Sequence, residues 1–330
     1  MTDSGYLAEF SKDLARARRI TRLAASGVDA TNRRSLIAHL PTLTCRMVGG
    51  ADSDAAGAQL AWALLYDAAH LIDQVQDEHL TTYEDRGQAL NAAVALFFEA
   101  VEHIGHLPSE LQAKLYTLMR ENVVGQYEDC SNPHPTVPEA LAIAEKKTGS
   151  FLGLGCWLGA AGALTQAAPE DRTPLLEAFL DMGRAFGVLV QIHDDLEWLE
   201  GLDTERGRNR ERFSNLILSA AWALEAPEAR GALDHSVLHL PDSSWEERAD
   251  LRRRLVVLGS RAICGAQAQQ YRRKALAALA RISVVDRQAT NWLQGQIEDA
   301  ARVFRAQRTS LGDIVESDER EYTDEPRAMG

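Results

Sequence analysis

The sequence predicts an all-α protein built as a helical bundle. Three observations predict it. The hydrophobic fraction of 45% is carried mostly by Ala and Leu, which are strong helix formers, and runs of β-branched residues are rare. Apolar residues recur three and four apart along nearly the whole chain, the periodicity of amphipathic helices. The breaks between periodic stretches are short, so successive helices run antiparallel to their neighbours.

Those breaks fall at Pro41, Gly49-Gly50, Pro108-Ser109, Asn132-Pro133-His134-Pro135, Pro169, the stretch from Gly201 to Arg210, Pro227 and Pro241. The intervals between them hold helices of typical to long length. The 330 residues suit one large helical domain, expected over residues 1–315. From Glu316 the tail is acidic and has no apolar face, so residues 316–330 are expected to be disordered. The segment Gly201 to Glu211 is dense in Arg, Glu and Gly and reads either as a solvated loop or as a cationic lid.

A formal net charge of -13 argues against a nucleic-acid partner or attachment to an anionic membrane through charge. An acidic protein still binds an anionic diphosphate if metal ions neutralise the contact. Cys45, Cys130, Cys156 and Cys264 are widely spaced, so neither a zinc site nor a disulfide framework is indicated, and ordinary thiols in a reducing cytoplasm are expected. No transmembrane segment is expected: the longest apolar stretch, Gly149 to Leu164, is short and interrupted by glycines.

Two acidic clusters stand out. In Trp62 to Glu78, Asp73 and Asp77 are four apart and share a helix face. Like charges at that spacing repel, so the helix gains nothing unless a cation sits between them, and two carboxylates with water suit magnesium. Ala69, Tyr66 and Trp62 continue the same stripe, as the wall of a pocket with a polar mouth would. The plainer account of this segment is an exposed acidic helix end above a core stripe. In the second cluster, Asp194 and Asp195 close the apolar run from Gly183, with Glu197 and Trp198 on the face of Asp194. Buried like charges are costly without a compensating cation, and acids are unfavourable at a helix C-terminus. Two such clusters on facing helices would hold metal ions that grip a diphosphate and ease carbon–oxygen heterolysis.

These residues resemble the trans-isoprenyl diphosphate synthase family of the terpenoid synthase superfamily, over roughly Leu60 to Leu224. Asp73-Gln74-Val-Gln-Asp77 resembles the first aspartate-rich motif, DDxxD. Asn91 resembles the asparagine stretch of the next helix. Gly125-Gln126-Tyr-Glu-Asp129 matches GQxxD, Lys147-Thr148 followed by Gly159-Ala160 matches the KT…GA helix, and Gln191-Ile-His-Asp194-Asp195 matches QxxDD. The order of the five pieces carries more weight than any one of them. The resemblance implies a terpenoid synthase bundle around a deep central cavity and two or three Mg2+ ions. It implies metal coordination by Asp73, Asp77 and Asp194, with Gln126, Asp129 and Asp195 beside them. Lys147 would contact the diphosphate, and Gln191 and Thr148 would line the cavity near the reacting carbons. An allylic prenyl diphosphate is the implied substrate, and a homodimer the implied assembly. For Gln126 and Gln191 a hydrogen-bonded core amide stays an open alternative.

The departures bear on the reaction. Gln74 replaces an aspartate of the first motif and Trp198 one of the second. The family's GKRxRP-like segment appears as Leu40-Pro-Thr-Leu-Thr-Cys-Arg46, with one cation, and its arginine pair after DDxxD is reduced to Arg86. Its later lysine appears as Arg212. Each lost cation removes a charge-assisted contact of about 1.5–3 kcal/mol, which weakens the second diphosphate site. One diphosphate site is terpene cyclase logic, so cyclisation of a C20 or C25 substrate, with C15 as the shorter option, is the first expectation. Trp62, Tyr66, Phe151, Trp157 and Trp198 are candidate aromatic faces for the cation. Chain elongation, or prenylation of another acceptor, is the second expectation, with Arg208, Arg210 and Arg212 available to rebuild a diphosphate site. A non-catalytic subunit is the third.

Overall fold

The computed structural model describes residues 37–76, 85–105, 107, 109–165, 168–204 and 214–306. Among the described residues the regular elements are helices and there is no strand, as the composition predicts. They are α1 Leu40–Met47, α2 Asp52–Gln76, α3 Arg86–Ile104, α4 Ser109–Ser131 and α5 Val137–Ala144. A π-helical turn, Glu145–Gly149, then leads into α6 Ser150–Ala163, followed by α7 Pro169–Gly201, α8 Leu216–Leu224 and α9 Arg230–Leu238. The chain continues with α10 Trp245–Val257, α11 Ser260–Leu279 and α12 Arg287–Ala306. The expected acidic tail, together with Asp77, Arg208, Arg210 and Arg212, lies outside the described residues.

Capping residues explain several boundaries. Asp85 accepts from the Gln88 amide at the start of α3, Thr136 and Glu139 form a reciprocal capping box on α5, and Ser244 and Glu247 form another on α10. Gly259, at φ 87°, occupies the left-handed turn between α10 and α11, a break the sequence reading did not mark.

At the centre lies α6, buried from Ser150 to Ala161. Its glycines allow three helices to close on it. A Cβ on Gly159 would sit 1.9 Å from the Pro41 carbonyl oxygen of α1, and one on Gly183 of α7 would sit 2.7 Å from Gly153 Cα. These contacts bring backbones together where a side chain would hold them apart. The Trp62 ring fills the space over Gly155, stacks on Phe151 at 4.4 Å, and donates its indole N–H to Ile37 O at 2.8 Å. The helix α7, about 50 Å long at 1.5 Å per residue, runs beside α6 and carries Gln191 to Asp195 to the cavity described next. No described helix is long and apolar enough to cross a membrane.

Candidate active site

Helices α2, α3 and α4, the π turn, α6 and α7 enclose a cavity of about 1070 Å³. Four segments bring the motif residues to it: α2 with Asp73, α4 with Gln126 and Asp129, the π turn with Lys147 and Thr148, and α7 with Gln191, Asp194 and Asp195. The remaining lining is largely apolar, with Tyr66, Ala69, Phe97, Met119, Phe151 and Leu152 among it.

Lys147 and Thr148 reach the cavity from the π turn, an irregularity often found at functional sites. The turn is held from outside. Asn122 Nδ2 donates to Lys147 O at 2.7 Å, and Tyr271 of α11 donates its hydroxyl to Glu145 Oε1 at 2.6 Å. Gly125 of α4 packs directly on it, since a Cβ there would lie 2.5 Å from the Lys147 nitrogen. The glycine that precedes Gln126 therefore has a packing role: it seats α4 against the turn.

Lys147 Nζ lies 2.8 Å from Asp129 Oδ2 and 3.1 Å from Asp73 Oδ1. Gln126 Nε2 donates to the same Asp73 oxygen at 3.3 Å and to Gln76 Oε1. Burial works against the lysine charge, yet the two carboxylates outweigh it and hold the ammonium above its ordinary value. Neighbouring Lys146 points elsewhere and pairs with Glu128 at 2.6 Å.

Deeper in the cavity a chain of hydrogen bonds crosses from the π turn to α8. The Thr148 hydroxyl donates to Gln191 Oε1 at 2.8 Å, and Gln191 Nε2 donates to Asp195 Oδ1 at 3.0 Å. Asp195 Oδ2 accepts the Leu216 amide N–H at 2.7 Å. Burial pushes the Asp195 carboxyl up to about 7, against the pull of the Leu216 N–H and the Gln191 amide. Asp194 is exposed at the mouth. Asn215 caps the start of α8 through its side-chain oxygen and also lines the cavity.

Ten of the residues singled out in the sequence thus meet at one cavity: Tyr66, Ala69, Asp73, Gln126, Asp129, Lys147, Thr148, Gln191, Asp194 and Asp195. Three others do not line it. Gln74, one residue past Asp73 and so about 100° round the helix, meets the lining residue His70 at Nε2, 2.8 Å away. Asn91 is exposed on α3; the residues of that helix that line the cavity begin two positions on, at Ala93, about 200° round. Trp198 lies one turn beyond Asp194 and packs against the core, with its buried indole N–H lacking a hydrogen-bond partner. Of the other aromatic candidates, Phe151 lines the cavity, whereas Trp62 and Trp157 are core. Arg46 is not among the lining residues either; it forms a two-point ion pair with Asp52, Nε to Oδ1 and Nη2 to Oδ2 at 2.6 Å each.

Sequence reasoning missed the apolar contributions of α3 and α4. Phe97, Phe98, Val123 and Tyr127 line the cavity, and all are exposed, up to 72% at Tyr127. The signal was available as an apolar stripe on two helices whose buried faces were already accounted for.

Over half of the chain, residues 42–235, matches the family model described as Polyprenyl synthetase. The chain belongs to the polyprenyl synthetase family. This is the trans-isoprenyl diphosphate synthase family that the ordered motifs resemble. Solved structures similar to this polyprenyl synthetase chain include the geranylgeranyl pyrophosphate synthetase from Pyrococcus horikoshii Ot3. The two are 17% identical with a TM-score of 0.65, over 90% of this chain and 99% of that one. A decaprenyl diphosphate synthase from Rhodobacter capsulatus is 21% identical with a TM-score of 0.65, over 91% and 97% of the two chains. A polyprenyl synthase from Caulobacter crescentus CB15, complexed with calcium and isoprenyl diphosphate, is 18% identical with a TM-score of 0.67, over 90% and 96%. At these identities the likeness is one of fold. No curated protein matches the chain.

Proposed function

We propose that this enzyme binds an allylic prenyl diphosphate with its diphosphate at the Asp73, Lys147 and Asp194 mouth and its hydrocarbon in the apolar cavity. It then transfers the allylic group to an alkene acceptor, of which isopentenyl diphosphate is the first candidate. The observation that carries this reading is one cavity with a carboxylate-and-lysine mouth and an apolar interior, in a chain of the polyprenyl synthetase family. The relatives of this fold are named as synthases of prenyl diphosphates, so family membership favours transfer over the cyclisation expected from the motif departures.

The donor set fits a hard divalent cation. Asp73, Asp129, Asp194 and the Gln126 amide present oxygen atoms around the mouth, and Asp73 and Asp129 already attract the Lys147 ammonium there. Among the described residues no three of His, Cys, Asp and Glu share one position, so water and diphosphate oxygens would complete each shell. Asp73 and Asp194 would hold Mg2+, as two or three ions, with Asp129 and Gln126 beside them; Asp77 would join from outside the described residues. When bound, Mg2+ supplies neutralisation of the departing diphosphate. The Caulobacter structure with calcium and isoprenyl diphosphate supports a divalent ion in this fold.

The chain's own groups do the rest. Lys147 places a positive charge where the diphosphate leaves. Thr148 and Gln191 lock one another through their hydrogen bond, so the oxygen atoms of both are fixed beside the reacting carbons. The Tyr66 and Phe151 rings offer π faces to the allylic cation, and the apolar wall excludes water that would quench it. Ala68 and Ala69 leave room beneath the mouth for a C15 to C25 chain. Asp195 acts as a positioning residue, because both its oxygens are engaged.

A second reading, cyclisation of a single substrate, is favoured by a specific observation: among the described lining residues Lys147 is the one Lys or Arg. Incubating the protein and Mg2+ with C10 to C25 allylic diphosphates, with and without isopentenyl diphosphate, separates the two by mass spectrometry. Longer linear alcohols that need both substrates and phosphatase treatment support transfer. A hydrocarbon or alcohol from one substrate alone replaces transfer with cyclisation, and no product with any substrate sinks both. For the exposed apolar face of α3 and α4 we propose a second copy of this chain as the partner; sedimentation as a monomer at micromolar concentration would end that idea.

A further inference from the structure

Asp73 and Asp129 come from different helices, α2 and α4, and meet at a single positive group, Lys147 Nζ, at 3.1 and 2.8 Å. Asp129 is only 8% exposed as a residue, Lys147 is half-buried, and the Asp73 side chain opens to solvent at 39%. The lysine backbone is fixed by Asn122 and by the packing of Gly125, so the ammonium is aimed at the carboxylate pair rather than wandering to it. Its four-carbon stem still allows the charged end to swing several ångströms while the backbone stays in place.

We infer that Lys147 is a built-in competitor for the metal, an internal cation on the carboxylates that a divalent ion needs, drawn off when a diphosphate binds at the mouth. This rests on the reading that diphosphate and Mg2+ meet at this mouth. The argument is electrostatic. A divalent ion approaching Asp73 and Asp129 meets a positive charge already within hydrogen-bond reach of both, and like charges at that range repel strongly in a partly buried site. A diphosphate carries more negative charge than either carboxylate and offers the ammonium a better partner a short swing away. Once the ammonium has moved, the two carboxylates face the metal without it. Lys147 therefore makes the two ligands help one another, and by linkage the factor by which diphosphate tightens the metal equals the factor by which the metal tightens diphosphate. In consequence the site loads metal together with substrate.

The test uses the full chain, with Mn2+ followed by electron paramagnetic resonance as the metal probe and methylenediphosphonate as an unreactive diphosphate. We expect Lys147→Gln to bind Mn2+ at least tenfold tighter than the wild type when diphosphonate is absent. Lys147→Arg, which keeps the charge, should stay within threefold of the wild type. The tightening of Mn2+ by diphosphonate should shrink at least tenfold in Lys147→Gln. If Lys147→Gln binds Mn2+ no tighter than the wild type without diphosphonate, the inference is overturned while the functional reading stands. If no protein binds Mn2+ even with diphosphonate, both fall. Should Lys147→Gln be too unstable for titration, melting decides: Mn2+ alone must raise its Tm more than it raises that of the wild type, and an equal or smaller rise refutes the inference.

Discussion

Asp194 and Asp195 are neighbours in sequence and have different surroundings. Asp194 is exposed among the residues that line the cavity, whereas Asp195 is 5% exposed and accepts hydrogen bonds from Gln191 and from the first turn of α8. Loss of the two functions should be separable. Asp195→Ala leaves the Leu216 N–H and the Gln191 amide without their acceptor, which costs about 1–3 kcal/mol of stability. Asp194→Ala should leave the melting temperature of the metal-free protein nearly unchanged and lower kcat/KM by roughly 100-fold or more. Calorimetry beside steady-state kinetics checks this, and equal losses of stability in both variants would contradict the assignment. The sequence made the acidic pair visible but not the difference between its members, because partners such as Leu216, 21 residues away, are set by how α8 folds back. Helical spacing puts Trp198 on the face of Asp194, but among the described residues the cavity lining on α7 ends at Asp195.

At the scale of elements, the glycines divide into those that bring backbones together and those that do not. Gly159 lets α6 meet α1, and a methyl group there would overlap the Pro41 carbonyl. Gly57 of α2 has nothing within 4 Å of a built Cβ. Gly57→Ala should therefore raise stability by about 0.5–1 kcal/mol through helix propensity. Gly159→Ala should lower it by several kcal/mol, in line with overpacking in a close-packed core. Thermal melts of the two variants test the packing of α6, and a Gly159→Ala protein as stable as the parent would contradict it. Most boundaries were legible from Pro, Gly and capping residues. The π turn was not, since nothing in Glu145-Lys-Lys-Thr-Gly marks an extra residue per turn; packing against Gly125 and the Tyr271 hydroxyl holds it.

Across the whole molecule, four separate segments converge on one cavity, and the order of short motifs foretold that convergence better than any motif did alone. The apolar stripe that α3 and α4 contribute to the wall is present in the sequence, but exposed phenylalanine and tyrosine on a helix look like surface until the opposite wall is known. The central claim proposed for this cavity is that diphosphate leaves an allylic chain at the Asp73, Lys147 and Asp194 mouth. The most direct measurement is release of inorganic diphosphate from a C20 allylic prenyl diphosphate, with isopentenyl diphosphate present and absent, in the wild type and in an Asp73→Ala, Asp194→Ala double variant. The account predicts release that requires Mg2+, stops with EDTA, and falls at least 100-fold in the double variant. Release that persists unchanged in the double variant, or without any divalent ion, would contradict it.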